Sequence, residues 1–285
     1  MIDPTIPAIS VCIPTFNGER TIAETLRSVL SQTFSDFEIV ICDDSSVDKT
    51  LEIIDQFDDP RIVMSKFEKA PTPAANWNRA VQLCRGQYVK VMGQDDVLYS
   101  QCLEMEMLAL TKHIDLTPVF VFSNRNIILK SGFKLKQSNL LRRKGFLSMN
   151  GQTLFRSVLR SGRNTIGEPV SVTMRRDAFD KTSGFEGSYV VDLAMWFKLL
   201  EYGSAINIHQ VLSAFRISRS SWSFRLRKSQ AKETIELFDY LSDKYNPNGR
   251  SVNLLIGKKM AYLMQFLRAV ILYVVDIKQR TVDNE

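Results

Sequence analysis

Residues that hold soft metals are nearly absent. The four cysteines, Cys12, Cys42, Cys84 and Cys102, lie far apart with no Cys-x-x-Cys spacing, and only two histidines occur, His113 and His209. This argues against a zinc site and predicts reduced core thiols. No Gly-x-Gly-x-x-Gly follows the first apolar run, which disfavours a dinucleotide-dependent dehydrogenase. Pro14 to Arg20 holds one glycine, Gly18, too few for the Gly-rich phosphate loop of a nucleotidyltransferase. Repeats and low-complexity runs are missing. The longest unbroken apolar stretch of the last predicted helix, Ala269 to Val275, is seven residues, far below the roughly 20 that span a bilayer. Met1-Ile2-Asp3-Pro4 has neither the basic head nor the apolar body of a secretory leader, so a cytoplasmic protein is expected.

What is present is ordinary globular usage over 285 residues, 45% hydrophobic and 24% charged, ample for a sizeable core. The net charge of +6 is unevenly spread. Arg125 to Arg176 contains 12 Lys/Arg and one acid, Glu168, while the remainder is net acidic. Such a block suits anionic partners (phosphates, an acidic acceptor, an anionic membrane surface) or forms a solvated basic face.

The first hundred residues alternate short apolar runs with helical patterns. Strands are predicted at Ile9 to Ile13, Phe37 to Cys42, Arg61 to Ser65 and Tyr88 to Met92. Helices are predicted at Thr21 to Ser31, Thr50 to Phe57 and Ala74 to Cys84. This rhythm predicts an α/β fold, a mostly parallel sheet flanked by helices. Further strands are expected at Val119 to Phe122, Ile127 to Leu129 and Val170 to Met174. Further helices are expected at Gly151 to Ser161 and at Leu193 to Tyr202, the latter with Gly203 as C-cap. From about Arg225 the pattern gives two helices split at Asn246-Pro247-Asn248-Gly249. Residues 1–224 are expected as one domain (a nucleotide-binding half, 1–100, and an acceptor half, 101–224) with a helical extension over 225–285. The last helix, about Ser251 to Lys278, suits packing on the domain, a homodimer contact, or an interfacial position on a membrane.

Ligands in open α/β sheets bind beyond the carboxyl ends of strands, and three polar clusters fall there. They are Pro14-Thr15-Phe16-Asn17-Gly18-Glu19, Asp43-Asp44-Ser45-Ser46, and Gly93-Gln94-Asp95-Asp96. An Asp-Asp pair in a turn suits a hard cation bridging substrate phosphates. A carboxylate at a strand end can accept an N–H of uracil, thymine or guanine. Asp48 or Ser46 can also cap the helix that follows.

Together these clusters, with Asn76-Trp77-Asn78-Arg79 and Gly86-Gln87-Tyr88-Val89, resemble the family 2 glycosyltransferases of the GT-A fold, a Rossmann-like α/β architecture. Gly167-Glu168-Pro169 and Val191-Asp192-Leu193-Ala194-Met195-Trp196 resemble that family's middle segments, so the likeness covers about residues 8 to 224. The resemblance implies an inverting, nucleotide-sugar-dependent transferase of the hexosyl type, serving bacterial polysaccharide or glycolipid assembly at the cell envelope. It implies donor contacts from Pro14, Thr15, Phe16, Glu19, Asp43, Asp44 and Asp95, with Thr15 and Asp43 at the base and Asp95 at the ribose or phosphates. Asp96 is implied as ligand of Mg²⁺ or Mn²⁺, and Asp192 as general base. Glu168 and Trp196 are implied to shape the acceptor pocket, for a saccharide or lipid-linked acceptor. Arg79 either meets the donor or is a solvated helix residue, and Asp192 can also cap its helix. Two positions depart from the pattern. Ser218 stands where the family often has the histidine of Arg-x-His, leaving Arg216 or Arg219 to serve instead. Val191 stands where many members have a second acid, so one carboxylate base is expected. A nucleotidyltransferase, or a catalytically silent nucleotide-sugar-binding protein, is the alternative. No nucleic-acid motif accompanies the basic block. Peripheral contact with an anionic membrane on its inner face is expected.

Overall fold

The computed structural model describes residues 6–129, 134–137, 145–217, 229–245 and 252–282. The Asn246–Gly249 turn, Met1 to Pro4, Ser218 and Arg219 lie outside them, as do Lys130, Arg142, Arg143 and Lys144 of the basic block.

The chain opens as β1 (Ile9–Thr15), α1 (Ile22–Leu30), β2 (Phe37–Asp43), α2 (Thr50–Ile54), β3 (Ile62–Lys66), α3 (Pro73–Leu83) and β4 (Tyr88–Val91). These four strands pair in parallel in the order β3-β2-β1-β4. The apolar runs predict this: β1 and β2 are buried almost throughout, as strands covered on both faces must be. Cys12, Cys42, Cys84 and Cys102 are free and buried, as expected. Burial pushes the Cys42 thiol up to about 11.

The sheet continues through β5 (Val97–Leu98), α4 (Cys102–Lys112), β6 (Pro118–Leu129), β7 (Lys134–Gln137), β8 (Phe146–Met149), α5 (Gly151–Ser161) and β9 (Val172–Arg175). It is followed by α6 (Arg176–Phe179), α7 (Val191–Leu199) and β10 (Ser204–Ile217). The order β3-β2-β1-β4-β9-β6-β10-β5 makes one sheet of both halves, with β7 on β6 and β8 on β10. The parallel rhythm gives way at β9, which is antiparallel to β4 and to β6; β6 and β10 are parallel again. The two strands expected over 119–129 are one twelve-residue strand. The helix expected to run to Tyr202 stops at Leu199. Gly203 serves a close approach instead: a Cβ there would lie 2.4 Å from the Thr117 carbonyl oxygen.

At the sheet centre Lys90 and Glu106 form an ion pair of 2.7 Å with both side chains wholly inaccessible. The pair is completed by Thr173, whose hydroxyl donates to Glu106 Oε2 at 2.7 Å, and by the Val172 carbonyl, which accepts from Lys90 Nζ at 3.3 Å. A buried pair is tolerated only when its remaining hydrogen bonds are met in this way.

The extension is α8 (Gln230–Tyr245) and α9 (Val252–Val282). It packs on α5 and α7, where Phe155, Phe197 and Tyr245 stack together. The α5 helix ends at Gly162 (φ 62°), where a Cβ would meet the α9 backbone at Met260 and Ala261 within 2.6 Å. No described helix is long and apolar enough to cross a membrane.

Candidate active site

The loop after β1 is sewn to the loop after β2. Asn17 N–H donates to Ser46 Oγ at 2.9 Å, Gly18 N–H to Thr50 Oγ1 at 2.7 Å, and Glu19 N–H to Asp48 Oδ2 at 3.1 Å. In return Val47 N–H donates to Asn17 Oδ1 and Lys49 N–H to Glu19 Oε2. The loop after β4 joins them, since Gln94 donates to and accepts from the Phe16 backbone at 2.8 Å. Three clusters separate in sequence thus form one rim. Lys49, not Asp48 or Ser46, is the N-cap of α2; Asp48 Oδ1 accepts from Thr50 N–H at 3.0 Å from one residue further out.

The expected donor residues take unequal positions on this rim. Phe16 is exposed, under the Lys69 ammonium at 4.6 Å, and offers a face for a base. Pro14 is half-buried beside it. Arg79 is part-buried, 3.7 Å from Asp44 and 4.7 Å from the Phe67 ring; it is therefore no solvated helix residue. Asp44 accepts from Ala70 N–H. Thr15 and Asp43 are wholly buried: the Thr15 hydroxyl donates back to the Ile13 carbonyl at 2.9 Å and Asp43 binds Ser46 through both carboxylate oxygens. Both side chains fix the loops that carry the rim. Glu19 likewise serves the sewing.

Asp95 and Asp96 converge at Gly93: a Cβ there would lie 2.9 Å from Asp95 Oδ1 and 3.0 Å from Asp96 Oδ2, so glycine is what lets both carboxylates turn the same way. Asp96 accepts from Arg216 N–H at 3.0 Å and Gly93 N–H at 3.3 Å. Buried Arg216 ties the loop down, donating through Nε to the Asp95 carbonyl (2.7 Å) and through Nη2 to Glu24 Oε2 (2.7 Å). Burial, opposed by Arg216, pushes Asp95 up to about 6. Burial and then the Asp95 charge push Asp96 well above the carboxylate range. Two desolvated acids repelling each other in a loop are a donor set that a divalent cation relieves. No group of three or more Cys, His, Asp or Glu gathers among the described residues, so a cation here draws its other ligands from phosphate and water, the usual habit of Mg²⁺.

Asp192 lies in the first turn of α7; Val190, not Asp192, is the N-cap. Its Oδ1 accepts from Leu193 N–H at 2.7 Å and its Oδ2 from Asn164 Nδ2 at 2.9 Å. Burial, then the Glu168 charge, pushes it up to about 7. Glu168 bears on Asp96 as well, so it stands between the Asp-Asp loop and Asp192. Burial opposes the Glu168 charge, yet ion-paired Arg125 outweighs it and holds the carboxyl below its usual range. Trp196 is 1% exposed, packed between Phe120 and Phe185, and its Nε1 donates to the Gly167 carbonyl at 3.0 Å. It holds from below the loop that presents Glu168. Gly167 has φ 128°, a conformation open to glycine alone.

Sequence reasoning missed Asn164, Arg125 and the α9 residue Arg268. Asn164 latches its own loop, accepting from Ile166 and Gly167 N–H, while donating to Asp192. In Asn164→Asp the latch survives but a carboxylate replaces the donor, so the Asp192 pKa rises further. The acidic limb of the pH profile of kcat/KM is expected to move up by about one unit. An unmoved limb would show that Asn164 does not act on the base.

A raised carboxylate at the start of α7 and a desolvated acidic pair after β4, both under the charge of Glu168 or of each other, suit a nucleotide-sugar-dependent glycosyltransferase. The chain belongs to glycosyl transferase family 2, whose profile matches residues 10–182. It is 27% identical over 237 residues to the UDP-Glc:alpha-D-GlcNAc-diphosphoundecaprenol beta-1,3-glucosyltransferase WfgD of Escherichia coli, covering 82% of this chain and 85% of that one. In fold it resembles S. aureus TarS 1–349 in complex with UDP-GlcNAc (TM-score 0.63, 17% identity, 89% of this chain and 70% of that one). It also resembles the mannosyltransferase PcManGT from Pyrobaculum calidifontis in complex with GDP-Man and Mn²⁺ (TM-score 0.61, 19% identity, 92% and 71%). The family disfavours the nucleotidyltransferase alternative.

Proposed function

We propose that the protein transfers a sugar from a nucleoside diphosphate to an acceptor hydroxyl by a single, inverting displacement with Asp192 as general base. The carrying observation is Asp192 itself, a half-buried carboxylate held near neutrality by burial and by Glu168, with Asn164 fixing its orientation. A base poised near the working pH is best matched to deprotonating a hydroxyl in the transition state. One base suffices for inversion, and Val191 leaves only one acid at this helix start.

The nucleotide lies over the rim, its base on Phe16 with Arg79 and Asp44 at its edge. Asp95 and Asp96 would hold Mg²⁺ or Mn²⁺, and such a cation would supply charge neutralisation on the leaving diphosphate. Arg216 keeps the two carboxylates oriented, and Glu168 bounds the acceptor side. The acceptor in the name of the relative WfgD is an undecaprenol diphosphate carrying GlcNAc, which supports a lipid-linked acceptor here. Its partner surface is α9, where Leu255, Tyr262, Phe266 and Tyr273 are each more than half exposed and Lys259 is exposed among them. We place this face on an anionic membrane surface, in keeping with an interfacial helix. Sedimentation of the protein with anionic vesicles at low salt tests this; no binding, or a dimer instead, overturns it.

The donor reading is tested by thermal shift with UDP, dTDP and GDP, each with Mn²⁺ or with chelator. One diphosphate at about 100 times its Kd should stabilise the protein by about 2.7 kcal/mol, and only with metal. No shift with any of the three would sink the reading.

A further inference from the structure

The acceptor side of the site has more positive charge than its reading so far uses. The 162–168 loop starts against α9 at Gly162, passes Arg163, gives Asn164 to Asp192, and ends with Glu168 on Arg125. Seven residues beyond Ala261, or about 10 Å along the helix, α9 delivers Arg268. Its guanidinium donates to the Tyr189 hydroxyl and lies 5.7 Å from that ring. Tyr189 stands three residues before Asp192, and its own N–H is held by Glu233 at 2.7 Å.

Arg125 and Arg268 therefore bear on one ionised acid, Glu168, already paired with Arg125, and Arg163 bears in turn on Arg268. Among the described residues no carboxylate forms an ion pair with Arg268. Burial lowers its pKa, with the Arg163 and Arg125 charges adding to that against the pull of Glu168. A desolvated cation without a counter-ion is costly. Guanidinium groups match phosphate oxygens in paired hydrogen bonds. The donor's diphosphate is already provided for across the site, at Asp95 and Asp96.

We propose that Arg268, with Arg125 and Arg163, forms a second anion site that holds the phosphoryl group of the acceptor beside Asp192. The proposal rests on the glycosyltransferase reading and extends it to the acceptor. The phosphate belongs either to a lipid-linked saccharide or to a soluble sugar phosphate. Geometry favours neither outright, but Leu255, Tyr262, Phe266 and Tyr273 recur at intervals of seven, four and seven residues. They form one exposed line along α9, about 140° around the axis from Arg268. The same helix thus turns its arginine inward and its apolar line outward.

The probe is inorganic pyrophosphate, titrated calorimetrically into the full chain in chelator, where the acidic Asp-Asp loop repels it. Binding is expected in the unaltered protein and in Asp96→Asn, with at least a tenfold loss in Arg268→Gln and in Arg163→Gln. Arg268→Lys, which keeps the charge without the fork, should fall between. No binding to the unaltered protein, binding undiminished in both glutamine variants, or displacement by a nucleoside diphosphate would overturn the site. Each arginine variant must keep its metal-dependent nucleotide shift, which reports the donor side separately; absence of that shift in the unaltered protein sinks the glycosyltransferase reading instead. Neutral vesicles carrying a long-chain alkyl diphosphate distinguish the sources. Tighter binding there than to free pyrophosphate assigns a lipid-borne acceptor, and equal binding assigns a soluble one.

Discussion

Asp192→Asn should lower transfer by about 10³-fold, roughly 4 kcal/mol at the transition state, while leaving the nucleotide-dependent thermal shift intact. The asparagine can keep the contact with Leu193 N–H through its oxygen, so the helix start is preserved. The unaltered enzyme should gain kcat/KM as pH rises through about 7, because only the ionised carboxylate accepts the proton. The same shift fixes a stability sign. A carboxyl whose folded pKa is raised contributes stability below its unfolded pKa and loses it as pH rises toward 7. Asp192→Asn should therefore have a higher Tm than the parent at pH 8, though not at pH 4. Rate profiles and melting curves on one pair of proteins check both. Full activity in the variant would remove Asp192 from the chemistry, and a lower Tm at pH 8 would show that its burial is not the strain described.

Asp96→Asn should abolish the metal-dependent part of the nucleotide shift and reduce transfer by about 10²-fold or more, since charge stabilisation at the leaving group is commonly worth several kcal/mol. An asparagine also turns an N–H toward Arg216 N–H or Gly93 N–H, both donors. Some loss of Tm without ligand is thus expected as well, and Asp95→Asn is the control that spares those two bonds. A variant with unchanged manganese dependence would move the cation away from this loop. Lower pH should mimic the substitution, because protons compete for two carboxylates whose pKa values are raised.

The legible part of this protein was its strand ends. Pro14 to Glu19, Asp43 to Ser46 and Gly93 to Asp96 each follow a buried strand of a parallel sheet, and the rule that loops there form the site brought them together before any coordinates. What that rule does not tell is which way a side chain turns. Thr15 and Asp43 carry the right chemistry, but one satisfies the Ile13 carbonyl and the other Ser46. Trp196 has the bulk to shape a pocket, but its depth in the core is not written in its helix. The acceptor side was poorly legible because its partners are remote in sequence: Asn164 meets Asp192 across 28 residues, and Arg125 meets Glu168 across 43. Arg268 sits in a helix whose apolar character suggested only packing, a dimer or a membrane. No local period announces a residue that reaches 79 positions back to Tyr189. The sheet was half legible for the same reason. Alternation foretold β1 to β4, while the insertion of β9 between β4 and β6 depends on a pairing that no local pattern records.

That insertion has a mechanical meaning. Tyr88 and Val89, in the first hundred residues, pair with Arg175 and Met174 of the following stretch, and the latter strand pairs onward with Phe120 and its neighbours. The two halves share a backbone ladder and two interleaved cores instead of meeting at a hinge, so neither can melt by itself. Denaturation should run as one transition reported alike by probes in either half. A nucleotide that touches only the first hundred residues then protects Asp192 and α7 against unfolding as firmly as it protects its own loops.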